Sequence, residues 1–186
     1  MAIPMGLNQL GNNPDLIIKR KFRWQFTATT CNNSQTIPPY YLKSAARPEV
    51  TMDETQIDYL NGRMWIPGKA TWAELPVVFI DVTASDFAPL WGWLSSVYEF
   101  DDPTNLYMNT KPAEYQGTAY IAIYDGCGNM LELWTLNNCW PKTYKFGELA
   151  YESSDVCTIE ISLRYWNVQY NNYCGVQPAR CPCTSC

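Results

Sequence analysis

Residues 37–82 read IPPYYLKSAARPEVTMDETQIDYLNGRMWIPGKATWAELPVVFIDV, and the way this stretch folds decides the architecture. It closes on Leu75-Pro76-Val77-Val78-Phe79-Ile80-Asp81-Val82, a β-branched and aromatic run suited to a buried strand. Upstream, Asn61-Gly62 and Pro67-Gly68 punctuate short extended pieces at 56–60, 63–66 and 69–73. Residues 44–55 show no clean period and carry Pro48, Asp53 and Glu54, which predicts a long polar arm. Loops beyond about a dozen residues in a compact domain are usually functional or disordered. An arm of this length is costly to order on a lone monomer, so it is expected to touch a neighbouring subunit. That points to a self-assembling structural protein and away from an enzyme.

Outward from this block the chain reads as β. Phe22, Trp24, Phe26 and Ala28 alternate with Arg23, Gln25 and Thr27, the pattern of a half-buried strand. Residues 116–124 and 130–136 form a hairpin about the turn Asp125-Gly126-Cys127-Gly128-Asn129. Residues 140–151 read as irregular, with Tyr144 and Phe146 as anchors. Residues 156–168 alternate again: Cys157, Ile159, Ile161, Leu163 and Tyr165 share one face, Thr158, Glu160, Ser162 and Arg164 the other. One helix is predicted at about 85–99, capped by Ser85 or Asp86, with Phe87, Leu90, Leu94 and Val97 on one stripe. Its end is set by Asp101-Asp102-Pro103. Six or more antiparallel strands with one flanking helix give a mainly β two-sheet sandwich or closed barrel.

Composition narrows the function. The 186 residues suit one domain, about 1–170, with a Gly/Asn/Pro-rich arm at 1–16 and a Cys-rich tail at 171–186. Apolar residues make up 47% and charged ones only 17%, as in a protein that hides surface in an assembly. A net charge of −5 disfavours free-standing nucleic-acid binding. The chain has no histidine, which removes Ser-His-Asp triads, Cys-His dyads and every His-ligated metal site. Met1 to Leu10 lacks the features of a secretory signal and no run is long enough for a membrane anchor, so folding in a cytoplasm with reduced cysteines is expected.

Candidate sites are few. Cys174, Cys181, Cys183 and Cys186 could in principle ligate zinc, but a single residue between Cys181 and Cys183 departs from knuckle spacing. Disulfides or unpaired thiols are the alternatives. Cys157 reads as a small buried hydrophobe. Asp53-Glu54 and Asp101-Asp102 are adjacent pairs beside turns and read as solvated charges. Tyr40, Tyr41, Trp65 and Trp72 could stack on sugars, but such residues more often fill cores or subunit interfaces. No catalytic residue and no cofactor site is indicated.

The order of these features resembles a known family: a Trp-bearing first strand, Lys43-Ser-Ala-Ala-Arg47-Pro48, Tyr59-Leu-Asn-Gly62, Trp65-Ile-Pro-Gly68-Lys69-Ala-Thr-Trp72, the strand at 77–82, then a helix with a Trp-rich face. It is similar to the tail-tube proteins of contractile-tailed bacteriophages, relatives of the type VI secretion tube protein, over roughly residues 20–170. The Cys-rich tail departs from that pattern. The resemblance implies homo-hexameric rings stacked into a hollow virion tail tube, assembled in the host cytoplasm. Its partners would be a contractile sheath, a tape-measure protein, and baseplate and tail-terminator proteins, with genomic DNA present only in transit. It implies that 44–61 is an inter-ring arm, contacting through Arg47, Pro48, Glu49, Asp53, Glu54 and Tyr59, and that Thr158, Glu160, Ser162 and Arg164 face the lumen. Tube proteins of a tailocin or type VI-like apparatus, and a tube-initiating baseplate protein, share the expected fold. From a different class, a disulfide-stapled carbohydrate-binding module is the alternative.

Overall fold

A computed structural model describes residues 17–30, 36–100, 111–152 and 154–173. It contains ten strands: β1 (Trp24–Thr30), β2 (Thr36–Ile37), β3 (Leu42–Ala45), β4 (Val50–Tyr59), β5 (Gly62–Trp72), β6 (Leu75–Ile80), β7 (Gly117–Tyr124), β8 (Met130–Lys145), β9 (Thr158–Arg164) and β10 (Asn167–Asn172). Two helices, α1 (Ala88–Val97) and the single turn α2 (Pro112–Tyr115), lie between β6 and β7.

Strand order runs β2-β1-β7-β8-β9-β6-β3, with β10 also paired to β8, and every pairing is antiparallel. The long β8 serves two sheets. Its first part pairs with β7 and β10, and its last part, from Trp140, pairs with β9. Asn138, at φ 53, marks the corner. The path does not return on itself among the described residues, so the barrel option gives way to a sandwich of two sheets joined through one strand.

Alternation builds the core. Phe26 and Ala28 from β1, Ala119 and Ile121 from β7, Val77 and Phe79 from β6, and Ile159, Ile161 and Leu163 from β9 are all buried. Phe26 meets Phe79 edge-on at 6.3 Å, and Phe79 meets Phe87 at 6.2 Å. Full burial of each such side chain contributes about 1.5–3 kcal/mol. Gly117 is required where β7 passes β1, because a Cβ there would lie 2.5 Å from the Thr29 carbonyl oxygen.

The predicted helix is shorter and capped differently. A 3-10 turn at Ser85–Phe87 leads into α1, and neither Ser85 nor Asp86 makes a side-chain cap bond. Asp86 instead accepts hydrogen bonds from the Tyr40 and Tyr41 hydroxyls. These bonds hold its carboxyl below the usual range and push the Tyr41 hydroxyl up to about 12. The buried face of α1 is Leu90, Trp93 and Leu94, with Trp93 taking the place foreseen for Val97. Its indole Nε1 donates to the Tyr115 carbonyl at 2.9 Å. The expected stop at Asp101-Asp102-Pro103 lies outside the described residues.

Four further expectations need correction. The irregular arm and short pieces from 50 to 72 are one continuous two-stranded ribbon, β4-β5. Residues 140–145, read as irregular, continue β8. The single strand foreseen over 156–168 breaks at Tyr165-Trp166, where the chain leaves β9 and crosses to pair β10 with β8. Cys157 lies one residue before β9 and is exposed, not a core residue.

Candidate assembly surface

The β4-β5 ribbon stands apart from the core, and nearly all of it is exposed. Its pairing runs from Val50↔Trp72 at the root to Tyr59↔Gly62 at the tip, where Leu60 and Asn61 make a two-residue turn. Ten residues at about 3.3 Å each give a projection of roughly 30 Å. The register slips between Met52 and Glu54, and Gly68 sits against this bulge. A Cβ on Gly68 would come within 3.2 Å of the Asp53 carbonyl oxygen. The Pro67-Gly68 signal is thus a bulge inside a strand and not a turn between strands.

Register sorts the outer half of the ribbon into two faces. Thr55, Ile57, Tyr59, Met64 and Ile66 share one, which is largely apolar. Glu54, Gln56, Asp58, Arg63 and Trp65 share the other. There Arg63 pairs with Asp58 across the strands at 3.5 Å, and Gln56 Nε2 donates to Asp58 at 2.5 Å. Tyr59 is 77% exposed, and Leu60 at the tip is 89% exposed with φ 51. A leucine held in left-handed backbone with its side chain in water has no local benefit. An isolated two-stranded ribbon is marginal in water.

The root is braced. Ala73 N–H donates to the Glu49 carbonyl at 2.9 Å, and Arg164 Nη1 donates to the Trp72 carbonyl at 3.2 Å. Trp72 packs on Tyr165 at 6.1 Å.

The six arm residues named from sequence divide over this element. Arg47, Pro48 and Glu49 lie in the link before β4, Asp53 at the bulge, Glu54 on the polar face, and Tyr59 beside the tip. The apolar set of Ile57, Leu60, Met64 and Ile66 was missed. Its signal was the alternation of Ile57 with Tyr59 and of Met64 with Ile66 about Asn61-Gly62.

Thr158, Glu160, Ser162 and Arg164 lie on the β9 side opposite Ile159, Ile161 and Leu163. Their neighbours are mixed: Glu160 sits between Val78 and Lys145, and Ser162 between Pro76 and Thr143. Arg164 is occupied at the ribbon root. Tyr41 and Trp72 pack on the core, while Tyr40 and Trp65 are exposed.

Among the described residues no group of three His, Cys, Asp or Glu could hold a metal ion. Cys174, Cys181, Cys183 and Cys186 lie outside the described residues. Cys127 is disulfide-bonded, whereas Cys139 and Cys157 are free. Burial pushes the Cys139 thiol up to about 12. Asp125 accepts from the N–H groups of Cys127 and Asn129 at 2.7 and 2.9 Å and from Asn129 Nδ2 at 3.0 Å, so its carboxylate is spent on the hairpin turn. No helix among the described residues is long and apolar enough to cross a membrane.

Comparison with known proteins places this geometry. The chain matches no family model and no curated protein. Solved structures do match. A chain of the anti-feeding prophage baseplate superposes with TM-score 0.67 at 15% identity, covering 84% of this chain and 97% of that one. A chain of an extracellular contractile injection system, in the PVC sheath-tube complex in its extended state, gives 0.60 at 15% identity, covering 90% and 99%. The tail tube of SPP1 gives 0.57 at 12% identity, covering 83% and 80%. At such identities the likeness establishes the fold.

Proposed function

We propose, from a fold shared with tube components of contractile injection systems and of a phage tail, that this chain is a structural tube subunit. The observation that carries the reading is the β4-β5 ribbon, whose apolar face and exposed Leu60 gain nothing in a lone subunit. The subunits close into rings, six to a ring, and the ribbon of one ring rests on the next. Arg47, Pro48, Glu49, Asp53, Glu54 and Tyr59 contribute to that contact together with the apolar face. A contractile sheath surrounds the stack, a baseplate starts it and a terminator ends it. In a phage tail the bore would carry a tape-measure protein and then DNA. In a tailocin or type VI-like apparatus no genome would pass, and a capsid on the same particle separates the two. The role is mechanical, with no reaction catalysed.

Negative-stain electron microscopy of the purified protein over a range of concentrations tests this reading. Rings or hollow tubes are expected. Replacing 51–71 by a short turn should leave a folded subunit that no longer forms long tubes. A parent chain that stays monomeric at every concentration and binds glycans would overturn the reading in favour of a carbohydrate-binding module.

A further inference from the structure

Of the chain's eight cysteines, Cys127 is disulfide-bonded while Cys139 and Cys157 are free. The partner of Cys127 is therefore Cys31 or one of Cys174, Cys181, Cys183 and Cys186. Topology removes Cys31. It follows Thr30 directly, and Thr30 pairs with Gly117, at the far end of β7 from the turn that carries Cys127. From that pair to Trp24↔Ile123, beside the turn, the strands run on for roughly 20 Å. A disulfide needs Cα atoms within about 7 Å of each other.

Register singles out Cys174. β10 runs antiparallel to β8 toward the same turn, through Asn171↔Leu133 and Asn172↔Glu132. One residue on, the Tyr173 N–H donates to the Leu131 carbonyl at 2.9 Å. Cys174 is the next residue in the chain, so the covalent backbone delivers it to the base of the turn. The turn is itself fixed. The Asp125 N–H donates to the Asn129 carbonyl at 3.0 Å, and the Cys127 N–H donates to Asp125 Oδ1 at 2.7 Å. The Arg23 guanidinium lies against Gly126, and Cys127 is exposed at the tip. Cys181, Cys183 and Cys186 come later in the chain, and the register of β10 does not lead them there.

We infer that Cys127 and Cys174 form a redox-closed staple, set by a small-molecule disulfide such as oxidised glutathione, that fastens the end of β10 to the β7-β8 turn. The exposed Cys127 thiolate attacks the oxidant, whose S–S bond breaks; one small thiol leaves with the Cys127 proton and a mixed disulfide remains. The Cys174 thiolate then attacks the Cys127 sulfur and expels the second small thiol, which takes the Cys174 proton. Two protein thiols are oxidised and one small disulfide is reduced to two thiols. A reducing compartment keeps the staple open and an oxidising one closes it. β10 is the last described strand, and five of its six residues are exposed. Chain ends fray unless tied down. The staple ties this one, closing a covalent ring that contains β8, β9 and β10.

Disulfide mapping of the full chain equilibrated with oxidised glutathione tests the pairing. Remaining thiols are alkylated and the chain is cut with trypsin, which separates Cys174 from the later cysteines at Arg180. A linked pair of peptides carrying Cys127 and Cys174 is expected. It should vanish in Cys127→Ser and in Cys174→Ser, and persist when Cys181→Ser, Cys183→Ser and Cys186→Ser are combined. Amide exchange at Tyr173 should slow about tenfold or more on oxidation of the parent, and stay unchanged in Cys174→Ser. Cys127 joined to a later cysteine, or still open to alkylation after oxidation, overturns the pairing. Unchanged Tyr173 exchange with the link in place overturns the role of fastening β10.

Discussion

Leu60→Gly separates folding from assembly at one position. In the free subunit Leu60 occupies left-handed backbone at φ 51 with its side chain 89% exposed. A non-glycine residue there costs about 1–2 kcal/mol. The greater freedom of glycine in the unfolded chain returns about 0.4–1 kcal/mol of that gain. The lone subunit should therefore hold its stability or gain up to ~1.6 kcal/mol, read from urea unfolding followed by tryptophan fluorescence. Assembly should respond in the opposite direction. If docking buries this side chain, its loss removes about 1.5–3 kcal/mol per contact. A loss of ~2 kcal/mol lowers the association constant about 30-fold. The critical concentration for tube formation, measured by sedimentation or light scattering, should rise accordingly. An unchanged critical concentration, with subunit stability also unchanged, would refute the argument that this leucine is kept for a neighbour.

Gly117→Ala should destabilise the subunit by about 2–4 kcal/mol, since its Cβ has only backbone to displace; the urea midpoint reports it. A brief iodoacetamide pulse on the native protein should modify Cys157 and spare Cys139, whose thiol is buried and raised to about 12. Burial pushes the Glu132 carboxyl up, but bonds from Lys19 Nζ and Trp134 Nε1 more than offset this and leave it below its ordinary value. A depressed folded value means stabilisation that is present above the unfolded value and lost as pH falls through the folded one. Urea midpoints should therefore be flat near neutrality and fall below about pH 4, with a shallower fall in Glu132→Gln. Trp93→Phe should cost about 1 kcal/mol through the lost bond to the Tyr115 carbonyl, again read from urea unfolding.

What the sequence disclosed followed from periodicity. β1, β6, β7 and β9 each bury every second residue, and their apolar alternation made them readable. The ribbon was harder because nothing in the subunit buries it. Its 50–59 strand mixes Thr, Asp, Glu and Gln with Ile and Met, so the usual inside-outside contrast was absent, and in the partner strand an extra residue at Gly68-Lys69, opposite Asp53, shifted the phase. β8 was cut short because Pro141 suggests a strand end. Here it lies at a register shift opposite Leu163, where the lost N–H is tolerated.

β8 has a consequence for how the subunit bears load. In a sandwich of separate sheets, a force that slides one sheet over the other is opposed by side-chain packing alone. Here one strand of sixteen residues, Met130–Lys145, runs from one sheet into the other, its first part in the first and its last part, from Trp140, in the second. A sliding force between the layers must therefore stretch or bend a continuous covalent strand whose hydrogen bonds on each side share the strain. In the proposed tube such a subunit would transmit axial stress as a stiff element and yield at its joints with its neighbours before its own layers part.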